Sequence, residues 1–342
     1  MAYTTDLNAE LVSKQASKNT KMLFEYLKSI YGKKHLAGQQ YLQSEEVEDL
    51  VYYHLTGKLP AMRGYDFMGV SSCKKTDDQV DRAIKWATQC GGIVTMCWHW
   101  YAPNDMNDYS KGSSFYYKTT GYDHKTCFDL CKGVTEGTAE YEFIIREIDM
   151  VSAELKRMAQ LDIPVLWRPL HEANGNWFWW GNHDEQHREA YKKLWYMIFD
   201  RMENYHKLTN LIWVWNGQDK DWYPGDKYVD IIGEDIYPGE HVYTSQISKY
   251  LNAATNYSTG HKLVYMTENG CVFDPELAKR DGAMWGMWCT WQGEFVVKSM
   301  SIITLDETYT EEEMLKKAYN DEDVITLEDL PDLKTYPIRE GF

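Results

Sequence analysis

Two glutamates each close an otherwise apolar run: Glu172 ends Ile-Pro-Val-Leu-Trp-Arg-Pro-Leu-His-Glu (163–172), and Glu268 stands near the end of Lys-Leu-Val-Tyr-Met-Thr-Glu-Asn-Gly (262–270). A carboxylate in such a place is costly to desolvate unless it is paired or put to use. Two carboxyl groups brought together divide the labour of bond cleavage, because the charge on one raises the pKa of the other and keeps it protonated. The plainer reading is that each caps the next helix or pairs with Arg168. Further polar and aromatic groups end similar runs: His99 between Trp98 and Trp100, His171 beside Glu172, Glu234-Asp235 with Tyr237, and Trp288 with Trp291.

These groups act together only if the runs that carry them converge. Eight short β-rich runs recur along the chain, at 35–40, 61–69, 91–100, 163–172, 210–217, 229–238, 262–270 and 283–291. Amphipathic segments lie between them, such as Asp77 to Gln89, Tyr141 to Leu161 and Glu185 to Lys207, each long enough for a crossover helix. A last helix is expected over Glu311 to Tyr319, and a helical lead-in over about residues 8–30. The alternation predicts a single α/β domain over residues 1–342, a (β/α)8 or TIM barrel, with the candidate residues on the carboxyl rim where such barrels carry their sites. A doubly wound open sheet is the alternative, but no Gly-rich phosphate loop follows any run. The connection 101–140 is far longer than usual and carries Tyr101, Tyr109, Phe115, Tyr116, Tyr117, Tyr122 and Phe128. Its rings either stack on a ligand near the rim or pack on one another to hold the loop.

Lys and Arg number 36 against 52 Asp and Glu, a formal net charge of −16, which repels nucleic acid and anionic membranes. A neutral ligand and a monomer fit this balance. Fourteen Trp and 26 Tyr offer flat faces and polar edges that suit pyranose rings, although the same rings suit packing between sheet and helices. Seven Cys are too few for a disulfide scaffold, Cys127 and Cys131 could bridge each other, and no second Cys or His pair stands at zinc spacing. No stretch approaches the roughly 18 apolar residues of a membrane span. The start, MAYTTDLNAE, lacks the features of a signal peptide. The expectation is an extracellular protein whose signal peptide has been removed.

The segment from Trp167 to Gly181, WRPLHEANGNWFWWG, resembles the acid/base signature of glycoside hydrolase family 26, chiefly β-mannanases. Trp98-His99, the run Gly233 to Pro238, Thr267-Glu-Asn-Gly270 and Trp291-Gln-Gly are similar to the family's stations on strands three, six, seven and eight. The ending from Tyr319 to Pro331 follows the family pattern too. The resemblance implies a TIM barrel and a retaining endo-β-1,4-mannanase acting on mannan, glucomannan or galactomannan without metal or cofactor. Glu172 would be the acid/base and Glu268 the nucleophile. His171 and Tyr237 would orient the pair, Trp177 would serve the leaving-group side, and Trp291 would lie beneath the sugar being cleaved. His99, Arg168 and Asp235 resemble polar groups of the glycone side. Other specificities of the family, β-1,3-xylanase and mixed-linkage β-glucanase, remain open, as does a noncatalytic glycan-binding protein.

Overall fold

The computed structural model describes residues 9–41, 46–73, 78–118, 121, 124–181, 184–258, 262–299 and 302–338. Seven parallel strands pair in chain order: β1 (Gly38–Gln40), β2 (Met62–Asp66), β3 (Ile93–Cys97), β4 (Val165–Arg168), β5 (Leu211–Trp215), β6 (Ile231–Ile236) and β7 (Leu263–Asn269). Each lies within one of the first seven runs read from the sequence. The strands are buried throughout, which is why they read as apolar runs and not as alternating ones.

The eighth run closes the ring without becoming a regular strand. The amides of Leu36, Trp288 and Thr290 donate to the carbonyls of Gly286, Leu36 and Gly38 at 3.0, 3.1 and 3.1 Å. On the other side Met266 and Asn269 donate to Met287 and Cys289, both at 3.0 Å, and Trp291 donates to Asn269 at 2.8 Å. The seam is tight. A Cβ on Gly286 would fall 2.0 Å from the Tyr265 ring, and one on Gly38 would fall 2.4 Å from the Trp288 carbonyl oxygen, so Gly286 makes room for a side chain and Gly38 for a close backbone approach.

Helices pack outside the ring: α1 (Lys18–Ile30), α2 (Val47–Thr56), α3 (Gln79–Lys85), α4 (Ala139–Gln160), α5 (Glu185–Asp200), α6 (Ile247–Asn252), α7 (Pro275–Asp281) and α8 (Glu312–Asn320). The segments read as helices to Gln89 and Lys207 each finish in a π-turn, Trp86–Cys90 after α3 and Arg201–Tyr205 after α5. The connection from β5 to β6 carries only the 3-10 turns Lys220–Trp222 and Asp226–Tyr228. The lead-in helix is shorter than expected. It begins at Lys18, where the Ser17 hydroxyl caps the Thr20 amide, and residues 9–17 instead run as an irregular strap. Asp77 and the expected start at residue 8 lie outside the described residues.

Twelve of the fourteen tryptophans are buried, so most of the aromatic excess is packing; Trp177 and Trp291 keep exposed surface. In the described part of the long connection, Ala102–Pro103 pairs antiparallel with Ser113–Ser114, and its rings pack against neighbouring elements. Phe128 packs edge-on against Trp179 at 4.8 Å and Tyr109 against Phe143 at 6.1 Å, while Tyr122 lies outside the described residues. The suggested Cys127 to Cys131 bridge is not formed: all seven cysteines are free thiols, and Asp129 between the two caps a one-turn helix at Leu130–Gly133. No described helix is long and apolar enough to cross a membrane.

Candidate active site

Beyond β4 the chain turns sharply, and Leu170 and Glu172 both take left-handed backbone angles, φ 54° and 53°. Such angles cost roughly 1–3 kcal/mol at a non-glycine residue and persist where the surroundings hold them. Here the Glu172 amide donates to the Asn216 carbonyl at 2.9 Å, and the Trp180 indole donates to the His171 carbonyl at 2.8 Å. The Glu172 carboxylate accepts the Trp177 indole N–H at 2.9 Å, so it faces the cleft and does not cap a helix.

On β7 the register against β6 slips between Met266 and Glu268. Slips of this kind re-aim side chains. Buried Glu268 accepts the Tyr237 hydroxyl at 2.8 Å and a close hydrogen bond from Arg168. The Tyr237 ring is 44 % exposed along the cleft although its hydroxyl is enclosed. Buried Arg168 also donates to Asp235 at 2.9 Å, and Asp235 accepts the Thr267 hydroxyl at 2.7 Å. The plainer reading of Arg168 as a partner for a glutamate therefore holds for Glu268. Oxygens of Glu172, Asp235 and Glu268 lie within 4.8 Å of one another. Three acids this close can hold a cation, but the Arg168 guanidinium already supplies positive charge to two of them.

Burial above all, then the charges of Asp235 and Glu268, pushes the Glu172 carboxyl well above the ordinary range. Burial and Asp235 push Glu268 up too, against Arg168. Two interacting acids titrate as a pair. The proton belongs on Glu172, because Glu268 alone has an arginine and a phenol donating to it.

His99 follows β3, and its Nδ1 donates to Asp66 at the end of β2, 2.5 Å away; Asp66 also accepts the His99 amide at 2.9 Å. The Nε2 atoms of His99 and His171 face each other at 3.3 Å. Burial, with His99 and Arg168 nearby, lowers the His171 pKa well below its ordinary value, so this ring is neutral. The Trp291 ring lies 5.9 Å from His99.

A cleft of about 620 Å³ opens at this rim, lined by His99, His171, Glu172, Trp177, Asp235, Tyr237, Glu268 and Trp291. Arg168 lies beneath it. The cleft also takes in Tyr116, Asn174, Phe178, Gln218 and Lys249. Of these, sequence reasoning met Tyr116 only as one ring of the long loop. It passed over Asn174, Gln218, Lys249 and the buried Asp66. Asp66 ends β2, but in the sequence it lies inside the second run, 61–69, so it did not stand out as a closing acid the way Glu172 did.

The sequence model of glycosyl hydrolase family 26 matches residues 12–324. A mannan endo-1,4-beta-mannosidase A of Piromyces sp is 37 % identical over 96 % of this chain and 52 % of its own length. A mannan endo-1,4-beta-mannosidase of Thermothelomyces thermophilus is 34 % identical over 95 % of this chain and 64 % of its own length. The chain thus spans between about half and two thirds of these relatives. Among solved structures, a Podospora anserina GH26-CBM35 β-(1,4)-mannanase superposes with TM-score 0.82 at 33 % identity, covering 97 % of this chain and 71 % of that one. The β-mannanase of a symbiotic protist of the termite Reticulitermes speratus, complexed with gluco-manno-oligosaccharide, superposes with TM-score 0.83 at 31 % identity, covering 94 % and 98 %. With the family match running almost end to end and the paired glutamates at the rim of a (β/α)8 barrel, the chain belongs to glycosyl hydrolase family 26.

Proposed function

We propose that this chain is an endo-β-1,4-mannanase that cleaves with retention of configuration, Glu172 acting as acid/base and Glu268 as nucleophile. The observation that carries the mechanism is the close approach of the two carboxylates, with oxygens within 4.8 Å. Retaining glycosidases hold their carboxyl groups about 5–5.5 Å apart, whereas inverting ones leave about 6.5–9.5 Å for a water. Arg168 and Tyr237 keep Glu268 anionic and aimed, and the proton retained by Glu172 passes to the departing glycosidic oxygen. Once Glu268 is esterified by the sugar its charge is gone. The Glu172 pKa then falls, and Glu172 takes the proton of the incoming water. Trp291 offers an apolar face to the sugar being cleaved, and the hydroxyl-binding groups around it are His99 and Asp235.

The similarity to mannan endo-1,4-beta-mannosidases supports β-mannan as substrate. A neutral polymer suits a cleft in a chain of net charge −16, and its size places the reaction outside the cell. The chain is expected to work as a monomer; sedimentation checks that. Digests of glucomannan, galactomannan, β-1,3-xylan and mixed-linkage glucan test the substrate, with turnover expected on the first two. Turnover of the last two alone would replace the assignment, and turnover of none would leave a glycan-binding protein. Proton NMR of the first product should show the β-anomer, because two inversions restore the starting configuration. Initial release of the α-anomer would overturn the role of Glu268.

A further inference from the structure

Asp66 ends β2, buried behind His99 and not bordering the cleft. Its Oδ1 accepts two backbone amides, both at 2.9 Å: that of Met68, which caps the 3-10 turn Phe67–Gly69, and that of His99. Capping explains one oxygen. The other, Oδ2, accepts the Nδ1–H of the His99 ring at 2.5 Å. Burial alone would raise this carboxyl, yet the adjoining His99 holds it below its ordinary range, so it is an ionised acceptor.

A neutral histidine that carries its proton on Nδ1 has a bare Nε2. In His99 that atom faces Nε2 of His171 at 3.3 Å, while Phe115 and Phe178 pack edge-on against the ring at 4.9 and 5.5 Å and offer it no hydrogen bond. Burial keeps the His171 ring neutral, so it has one proton to place. On Nδ1, which is buried and has no hydrogen-bond partner among the described residues, an N–H would go unmet, whereas on Nε2 it meets the bare nitrogen of His99. The donors therefore run one way, from His171 to His99 and from His99 to Asp66. His171 in turn sits between Leu170 and Glu172, both at left-handed angles, and its position bears on how the acid/base is presented.

We propose that Asp66 is a positioning residue for the reaction: by keeping the His99 proton on Nδ1 it leaves Nε2 to accept from His171, and so fixes both imidazoles in one tautomer and one orientation beside Glu172. This rests on the reading of Glu172 as acid/base of a mannanase.

The test is a substitution that keeps the shape. In Asp66→Asn the two backbone amides claim the amide oxygen, which turns the NH2 toward His99 Nδ1 and favours the Nε2–H tautomer, so that two N–H groups oppose each other where His99 meets His171. For this variant kcat/KM on mannohexaose should fall about 10- to 100-fold, the equivalent of one charge-assisted hydrogen bond. Adding Asp66→Asn to His99→Ala should change the rate further by less than about twofold, because residues that act through one another are not additive. An undiminished rate in Asp66→Asn, or losses that multiply in the double variant, would overturn the proposal. The tautomer is read without substrate in the wild-type protein, by NMR of ¹⁵N-labelled histidine, with His99 assigned by its absence from His99→Ala. Nδ1 should be protonated and Nε2 bare; a proton on Nε2 would overturn the proposal whether or not Asp66→Asn folds. A wild type inert on mannohexaose that shows the expected tautomer would overturn the mannanase reading alone.

Discussion

Arg168 is buried between Asp235 and Glu268, and its charge is what makes three neighbouring acids tolerable. An unpaired charge at that depth costs several kcal/mol, whereas an arginine sharing two carboxylates through separate nitrogens satisfies all three groups. The asymmetry matters chemically: the Glu268 carboxylate is bonded to Arg168 and Tyr237, while among the described residues the Glu172 carboxylate accepts only the Trp177 indole. Removing Glu172 therefore removes a proton and not a structural link. Glu172→Ala should lower kcat on mannan by about 10²–10⁴-fold, with no loss in Tm. On an activated aryl glycoside it should form the glycosyl enzyme and stall, so that added azide yields the β-glycosyl azide. Failure of azide to restore any turnover would deny Glu172 its place as the base of the second step. The two glutamates were legible in the sequence because an acid at the end of an apolar run has few structural uses. Gln218 and Lys249 were not, because an exposed lysine or a glutamine after a strand is ordinary until barrel closure brings β4, β5 and β6 side by side.

At the scale of elements, strands buried on every side announce themselves as apolar runs, and seven were readable for that reason. The eighth run was legible in composition but not in form: it joins the ring through hydrogen bonds of ordinary length, with Gly286 leaving room for the Tyr265 ring and Gly38 for the Trp288 carbonyl. The long loop shows the same limit. Its aromatic content pointed to the rim, yet one ring type serves two purposes there. Phe115 packs on His99 at 4.9 Å and on Tyr101 at 5.0 Å, whereas Tyr116 stacks on Phe178 at 5.9 Å and borders the cleft. The loop backbone is also bonded to the segment that carries Trp177: the Tyr117 amide donates to the Trp177 carbonyl at 2.7 Å, and the Trp179 amide to that of Phe115 at 3.1 Å. Excising the loop would thus disturb Trp177 and His99 together. Point variants are cleaner. Phe115→Ala should cost roughly 1–3 kcal/mol of stability in denaturant melts, by analogy with other truncated aromatics that are only partly buried. Tyr116→Ala should leave stability nearly unchanged and lower kcat/KM on mannopentaose several-fold. If both variants changed only stability, the loop would be scaffolding.

Across the whole molecule, the end of the barrel opposite the cleft is closed by distant parts of the chain. His35–Leu36 pairs in parallel with Val324–Ile325, and the strap at residues 9–17 is pinned by two buried acids. Asp230 accepts the amides of Val12 and Trp213, both at 2.8 Å, and Glu203 accepts the Ser13 hydroxyl at 2.7 Å and the Trp213 indole at 2.9 Å. Burial raises Asp230 from 3.8 to about 7 and Glu203 in the same direction. An acid whose folded pKa is raised contributes stability that is fully present below its unfolded pKa and is lost as pH rises through the folded value. Between about pH 4 and 7 the unfolded chain has released this proton while the folded one still holds it. Stability attributable to Asp230 should therefore decline across that window, by up to roughly 4 kcal/mol. Other acids pull the opposite way, Asp66 among them, since His99 lowers it. The total curve is thus less informative than a difference. Asp230→Asn keeps the shape and cannot ionise, so its stability relative to wild type should improve steadily from pH 4 to pH 8 in chemical melts. Hydrogen exchange at the Val12 amide in the wild type should quicken over the same range, well before exchange in β4 or β5. A stability difference that stayed constant with pH would mean that Asp230 is charged throughout and that its two amide partners outweigh its burial.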